Sequence, residues 1–423
     1  MQLLRDPRVF IRENAARYGD VWRSRIPAIG PGKRLRDLVW LMGPEGAERI
    51  LAPQHRDDFS WYGGYGFTME PTFGRDILFL SDDTPGCPAH KERHRTLSPA
   101  FHPRTDGDYL PVIESVVKSH TRNWRPGTRI DLQWELKRIA FHVVAALLLG
   151  AEERDLDQLM HLFEDLGDGL YSILRVRLPG FDFYRGQRAR EKLAAYLREK
   201  IAGYRCAPEL PRNMIGYLMR FGAEDERALS DETLVAEMLA FLFAGYDTTA
   251  SMLTSFFAAV IPRAEIVRIL RQEASELRFS ELQSQPMLEA TLLETERLFP
   301  PLVFSMRGVE RDITFRNFTI AAGSRVAYSA WQIGRMPSLF ERAGEFLPER
   351  FFDDKKAPPY SILGFGGGPR TCIGKRFASL EMRLVIALLF RSFSFGPQFN
   401  ADDEMFFNPT MQRRQGLRIE IRA

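Results

Sequence analysis

The chain has 423 residues, with 58 Lys and Arg against 55 Asp and Glu, a net charge of +3. Apolar residues make up 45% and charged residues 27%, which excludes wholesale disorder and gives no electrostatic case for nucleic-acid binding. Cys87, Cys206 and Cys372 form no CxxC pair, so neither a disulfide scaffold nor a Cys-rich zinc site fits, and a reducing, cytoplasmic location is expected. Length alone suggests two or three domains.

Arg5, Asp6 and Arg8 interrupt any apolar run at the N-terminus, so neither a signal peptide nor a membrane anchor is expected. Residues 7–18 predict a first helix. Residues 21–26 and 38–42 predict strands of a small sheet. Residues 44–51 predict a short helix with Pro44 in its first turn. Residues 59–86 are rich in glycine and aromatics and read as a long variable loop with broken helix, where function concentrates.

Helical patterns follow at 90–98, 110–123, 132–149, 153–173, 183–204, 211–221, 232–261, 263–278, 280–299, 330–336 and 375–393. Strand patterns lie at 313–315, 324–328 and 417–421. The apolar run 139–149 is too short to span a bilayer. The run 235–261 carries Glu237 and Asp247, so a long buried helix fits it better than a membrane span. No linker or repeat divides the chain. The expected fold is mainly α with small β-sheets, one interlocked domain over residues 1–423.

The segment 365–374 is the most informative. Three glycines, 366–368, permit backbone conformations closed to other residues, and Pro369 cannot donate a backbone hydrogen bond. The loop leads into a helix near Lys375. A cysteine just before a helix N-terminus is favoured as thiolate, and Arg370 and Arg376 add positive charge. From the turn alone, an incidental core cysteine stays open. A phosphate loop lacks its Ser or Thr, because Arg376 follows Gly374-Lys375.

Phe365, Gly368, Arg370, Cys372 and Gly374 fill the pattern Phe-x-x-Gly-x-Arg-x-Cys-x-Gly. This resembles the haem-binding signature of the cytochrome P-450 superfamily. The resemblance implies that Cys372 is the proximal thiolate ligand of haem iron, that Phe365 packs beside it and that Arg370 reaches a propionate. Gly368 and Gly374 shape the loop. The cofactor implied is haem b; no CxxCH supports a covalent haem.

Three further constellations can be compared with the family. Glu294 and Arg297, at i and i+3, share a helical face; alone they read as a surface ion pair. With Arg350 in Pro348-Glu-Arg-Phe351, they resemble the family's Glu-x-x-Arg and later Arg, which implies a buried charge network.

Ala244-Gly245-Tyr246-Asp247-Thr248-Thr249 places polar residues in an apolar helix, and Gly245 costs about 1 kcal/mol there relative to Ala. Alone, this reads as a kink with a solvated Asp. It resembles the oxygen-activation motif, within a central helix expected over 229–262. By that resemblance Ala244 and Gly245 leave room for dioxygen, Thr248 hydrogen-bonds it and Asp247 relays protons.

His90 and His94 share a face at i and i+4, but no HExxH accompanies them to support zinc. They resemble the family's helix over the haem, and with Arg307 they imply propionate contacts. Two departures stand out: Gly334-Arg335 replaces the commoner His-Arg, and a Pro-rich lead-in is missing.

The function implied is a haem-thiolate monooxygenase, since a thiolate ligand favours O–O cleavage. It would insert one atom of dioxygen, by hydroxylation or epoxidation, into a bulky apolar small molecule. Electrons would come from NAD(P)H through an external ferredoxin or flavodoxin and its reductase. Lys91, Arg93, Arg95, Lys375 and Arg376 would offer an acidic partner a basic face.

Expected pocket residues are Trp61, Tyr62, Tyr65, Phe67, Phe241, Val303, Phe304, Met405 and Phe406. Residues 178–190 are similar to the retinoid-hydroxylase and sterol-demethylase branches, suggesting a terpenoid, retinoid, sterol-like, fatty-acyl or other secondary-metabolite substrate. The alternatives are a haem-thiolate isomerase or dehydratase, an oxidative-coupling enzyme, or a non-catalytic haem sensor. A monomer is expected.

Overall fold

The computed structural model describes all residues except 1–2, 4–5, 27–35, 85–86, 173, 225–227, 277–284, 353–356, 400–404, 408–409 and 423. Among the described residues, helices dominate and five small sheets lie among them.

The N-terminal part combines α1 (Pro7–Tyr18), β1 (Val21–Ile26), β2 (Arg36–Leu41), α2 (Gly43–Leu51) and β3 (Phe59–Ser60). Asp6 caps α1 by accepting from the Arg8 and Val9 N–H groups. β1 and β2 pair antiparallel, with Trp22 opposite Trp40 and their rings stacked at 4.9 Å.

Residues 61–73 correct the expectation of a loop: they form α3 (Trp61–Phe73). Gly63, Gly64 and Pro71 argue locally against a helix, and distant partners supply what the sequence lacks. Ser60 and Asp82 accept the first N–H groups, those of Trp61, Tyr62 and Gly63. Pro71 cannot donate to the Phe67 carbonyl, and Arg175 Nη1 donates to it instead at 2.7 Å. Gly63 and Gly308 let α3 lie directly on the sheet: a Cβ on Gly63 would stand 2.9 Å from the Gly308 Cα.

The helices that follow are α4 (Ala89–Leu97), α5 (Asp106–Thr121), α6 (Leu132–Val144), α7 (Leu156–Tyr171), α8 (Asp182–Cys206) and α9 (Met214–Glu224). Before α4 stand β4 (Asp83–Thr84) and β5 (Cys87–Pro88), and before α6 stands β6 (Arg129–Asp131). α6 ends in one π-helical turn over Ala145–Leu149. The central helix α10 (Asp231–Val260) has 30 residues and is about 45 Å long. Ser230 caps it and Asp231 and Glu232 sit in its first turn, where they complement the helix dipole.

After α10 come α11 (Ala264–Glu276) and α12 (Pro286–Leu298). Part of the helix expected over 280–299 lies outside the described residues. β7 (Ser305–Val309), the hairpin β8 (Ile313–Phe315) and β9 (Phe318–Ile320), β10 (Arg325–Tyr328) and α13 (Ala330–Ile333) follow. The first sheet runs β1-β2-β10-β7-β3, with only the β2–β10 pair parallel.

α14 (Lys375–Ser392) precedes β11 (Ser394–Pro397), β12 (Met405–Phe407), β13 (Met411–Arg413) and β14 (Arg418–Arg422). β12 and β13 form a hairpin, and β11-β14-β6 a second sheet. Several of these strands are too short for an alternating pattern to mark them.

The main core gathers α5, α6, α7, α8, α10 and α14. No helix among the described residues is long and apolar enough to cross a membrane. One charge in this core has a measurable consequence. Glu237 on α10 is wholly buried; its Oε1 accepts the Leu78 N–H at 2.9 Å and its Oε2 has no partner. Burial pushes its pKa up from 4.5 to about 8, against the pull of Arg93.

Below pH 4.5 Glu237 is neutral in both the folded and the unfolded chain. Between pH 4.5 and 8 the unfolded chain releases the proton and the folded chain keeps it, so stability falls as pH rises. Glu237→Gln keeps the acceptor and removes this loss. It is expected to match wild type near pH 4.5 and to exceed it by about 2–5 kcal/mol at pH 8, read by denaturant unfolding. A pH-independent difference would sink this account.

Candidate active site

Residues 364–376 form a tight loop ending at the N-terminus of α14. The Cys372 N–H donates to the Phe365 carbonyl at 2.9 Å, and the Lys375 N–H to the Cys372 carbonyl at 3.2 Å. Gly368 has φ +63°, and a Cβ there would stand 1.9 Å from the Leu51 carbonyl oxygen, so no side chain fits. The Phe365 N–H donates to Glu296 at 3.3 Å, and a Cβ on Gly374 would lie 3.8 Å from the Cys372 sulfur.

Cys372 is solvent-accessible, yet protein surrounds it closely enough that burial pushes its thiol up. An accessible side chain ringed by protein faces an interior hollow. The sequence predicts a metal-ligating thiolate here; in the free side chain burial favours the neutral thiol. Burial outweighs the Gly374 and Lys375 N–H groups and the Lys375 charge, all of which favour the anion. A bound cation would tip the balance, because a coordinating thiol is deprotonated outright. The donor set therefore fits a metal ligand.

Four basic side chains converge beside this loop. His90 feels Arg370, His94 and Arg307, and burial with these neighbours lowers its pKa to about 3. Arg370 is lowered to about 10 by burial, opposed by Asp82 and Asp83. Its guanidinium pairs with Asp82 at 3.0 Å. Arg307 is almost fully buried, donates to Ser305 Oγ (2.9 Å) and the Met306 carbonyl, and lies 3.9 Å over the Trp61 ring. Burial keeps both histidines neutral, so Arg307 and Arg370 supply the positive charge and the imidazoles supply N–H donors, a set that suits a planar group carrying two carboxylates.

On α10, Ala244, Gly245 and Thr248 are partly accessible while Tyr246, Asp247 and Thr249 are buried. At i, i+1 and i+4 they share one face. The Thr248 hydroxyl donates to the Ala244 carbonyl at 2.6 Å, leaving its lone pairs free to accept. A Cβ on Gly245 would meet only Val144, at an ordinary 3.5 Å, so the glycine removes bulk toward α6. Asp247 accepts from Thr410 at 2.6 Å and Gln412 at 3.1 Å, and burial pushes its pKa up.

Glu294, Arg297 and Arg350 meet in one buried network, with Arg297–Glu294 at 2.7 Å and Arg350–Glu294 at 3.1 Å. Of the expected basic face, Arg93 is largely covered and pairs with the exposed Asp76 at 2.5 Å, and Arg376 pairs with Asp106. Lys91, Arg95 and Lys375 are exposed. Cys206 is exposed as well, and the side chain of Cys87 lies outside the described residues.

The expected pocket residues divide. Trp61 and Tyr65 stand beside the basic cluster, 5.0 Å apart, and the Tyr65 hydroxyl accepts the Met306 N–H at 3.0 Å. Phe67 lies under Arg175 at 4.3 Å. Phe241 is nearly closed off by Phe79 and Phe101. Tyr62 is fastened to Glu70 at 2.7 Å and stacks on Arg75, away from the cluster.

Val303 is corrected to core: it is 0% exposed, among Ile11, Trp22 and Trp40. Phe304 packs on Trp40 at 5.2 Å and on Phe407. The Met405 carbonyl accepts from Arg8, and Phe406 lies under Arg414.

Sequence reasoning missed Asp82, which binds the start of α3 and Arg370 at once. It also missed Tyr171. That side chain is 41% exposed, yet surrounded by protein and near Tyr65 and Asp247, so it faces the interior hollow. Glu381 on α14 is fully buried with neither oxygen partnered, and burial holds it uncharged. None of the three carries a local pattern.

The sequence model described as Cytochrome P450 matches residues 2–420. A putative cytochrome P450 120 of Synechocystis sp. is 32% identical over 79% of this chain and 77% of its own length. Abscisic acid 8'-hydroxylase 1 of Arabidopsis thaliana is 25% identical, covering 98% and 86%. The solved structure of retinoic acid-bound cyanobacterial CYP120A1 superposes with a TM-score of 0.87 at 27% identity, covering 97% of this chain and 93% of that one. The thiol loop, the convergent basic side chains and the accessible face of α10 thus sit in a chain that belongs to the cytochrome P450 family, the haem-iron monooxygenases.

Proposed function

We propose that this enzyme holds haem b through Cys372 and hydroxylates or epoxidises a bulky apolar molecule of terpenoid, retinoid, sterol or fatty-acyl type. The carrying observation is the partly accessible mid-helix face of α10, Ala244, Gly245 and Thr248, in a chain whose Cys372 thiol is accessible although protein surrounds it. Similarity to a retinoic acid-bound structure and an abscisic acid hydroxylase supports an apolar, isoprenoid-like substrate.

His90, His94, Arg307 and Arg370 would hold the propionates. When bound, the haem supplies oxygen activation, which a thiolate ligand favours. The protein orients the substrate, excludes water and moves protons. Trp61, Tyr65, Tyr171 and Phe406 would bound the substrate. Asp247 would hold a proton on its carboxyl, and Thr248 would turn its hydroxyl from the Ala244 carbonyl to pass one on.

Electrons would come from NAD(P)H through a ferredoxin or flavodoxin and its reductase, docking near Lys91, Arg95 and Lys375. The chain would act as one cytoplasmic, monomeric domain, with 59–86 as its variable substrate segment, 229–262 as its central helix and 364–376 as its thiolate loop.

A panel of isoprenoids and fatty acids, screened by iron spin state and then by turnover with NADPH, ferredoxin and reductase, tests this. Product that forms without reductant or dioxygen would overturn it in favour of an isomerase or dehydratase. Thr248→Ala is expected to lower product formation roughly 100-fold while electrons drain into peroxide. An unchanged product-to-peroxide ratio would remove Thr248 from proton delivery.

A further inference from the structure

Asp247 is held from outside its own helix. Thr410, buried, donates its hydroxyl to Oδ2 at 2.6 Å. Gln412 donates Nε2 to Oδ1 at 3.1 Å. Neither contact is needed to build α10, which runs unbroken through Asp247.

The two donors differ chemically. An amide nitrogen only donates, whereas a hydroxyl either donates or accepts. Oδ1 is therefore locked as an acceptor. Oδ2 can take a proton, provided the Thr410 hydroxyl turns to accept it.

The same hairpin bears Phe406, one of the substrate contacts proposed above. β12 and β13 pair so that Phe406 lies directly opposite Gln412, and paired residues of antiparallel strands project from the same face. Ser251 Oγ, one turn beyond Asp247, donates to the Met411 carbonyl at 2.6 Å and ties the hairpin to α10. A displacement of Phe406 would therefore reach the Gln412 donor across one strand pair.

We infer that Thr410 and Gln412 are positioning residues that fix which oxygen of Asp247 carries the proton, and that substrate contact at Phe406 adjusts them. This rests on the monooxygenase function proposed above. It gives the enzyme a means of discrimination: a molecule that misplaces the hairpin binds but is poorly coupled to product. Lys137, Tyr171 and Tyr246 are the other titratable groups that interact with Asp247.

The test uses the haem-loaded enzyme and the infrared carbonyl band of protonated Asp247, identified by its loss in Asp247→Asn. Titration of that band gives the proton affinity directly. Removing a donor that stabilises the carboxylate raises that affinity. Thr410→Val and Gln412→Ala are each expected to shift the midpoint up by about one pH unit, with Thr410→Ser restoring it.

A spin-shifting ligand from the panel is expected to move the band in wild type but not in Phe406→Ala. In turnover, Thr410→Val is expected to raise peroxide at the expense of product. An unshifted midpoint in Thr410→Val and Gln412→Ala would overturn the inference, as would a ligand response that survives Phe406→Ala. If Asp247→Asn itself stays fully coupled, the proton role of Asp247 fails instead. If no product forms with reductant and dioxygen, the proposed function fails.

Discussion

Cys372→Ala is expected to abolish the red-shifted Soret band of the reduced carbon-monoxide adduct completely, while the chain stays folded. The loop's shape does not depend on the sulfur. It is set by the Cys372 N–H donating to Phe365, the Lys375 N–H closing back on Cys372, and Gly368 passing under Leu51. Alanine keeps all three.

What alanine removes is the one side chain that presents a soft anionic donor at the start of α14. Burial opposes that charge in the free protein, and a bound cation favours it, because a coordinating thiol is deprotonated. The red-shifted band reports that pairing and nothing else in the fold. Cys372→Ser separates loss of ligand chemistry from loss of volume, because it keeps a similar shape with a harder donor. Circular dichroism of both variants should match wild type. A red-shifted band that persists in Cys372→Ala would place the iron ligand elsewhere.

The sequence carried the site wherever its partners are close along the chain. The loop at 365–374, the i, i+3 pair Glu294–Arg297 and the 244–249 segment are contiguous patterns that a family resemblance can be matched to, although each alone leaves a plain structural reading open. The long helix was readable because its apolar run exceeds what a short core helix needs, with end signals at Ser230 and Asp231.

It failed where distant groups decide. α3 contains three glycines in its first two turns and an internal proline, and is helical because Asp82, Arg175 and Gly308 complete it. Asp247 is a plausible solvated residue by sequence, but Thr410 and Gln412, more than 160 positions away, bind both its oxygens. Val303 is expected at the pocket from its sequence position, yet here it turns into the sheet core. Nor did the sequence show that burial favours the neutral thiol in free Cys372, since dipole and neighbours are local signals and desolvation is not.

Gly334 shows a departure with a physical cause. A Cβ at that position would stand 2.2 Å from the Arg297 carbonyl oxygen, so the backbone here accepts no side chain. Its own carbonyl accepts from Arg297 Nη1. The substitution that looked peripheral in sequence belongs to the charge network behind the thiol loop.

That network yields the largest expected loss of stability. Arg297 has five N–H donors, and all five are engaged. Nε and Nη2 donate to Glu294 at 2.7 Å each; Nη1 donates to the Ala343 carbonyl at 2.7 Å and to Gly334; Nη2 also donates to the Glu345 carbonyl at 2.9 Å. Glu294 in turn accepts the Leu347 N–H at 2.7 Å and Arg350 Nε at 3.1 Å. Both members of the central pair are fully buried.

Removing one charge strands the other in a low-dielectric interior; Arg297→Ala also leaves three carbonyls unpartnered, and Glu294→Gln turns an amide donor toward the donors that converge on it. Arg297→Ala and Glu294→Gln are therefore each expected to cost about 3–5 kcal/mol in denaturant unfolding. Arg297→Lys should lose nearly as much, because three donors on a point charge cannot replace a planar fork of five. Arg350 is partly exposed, with 12% of its side chain accessible, so water replaces part of what Arg350→Ala removes and its cost should be clearly smaller. The order Arg297→Ala near Glu294→Gln, both well above Arg350→Ala, is the discriminating result. Equal losses for all three, or a loss below about 1 kcal/mol for Arg297→Ala, a value typical of exposed pairs, would mean that the carbonyl contacts and not the buried charge pair hold this region together.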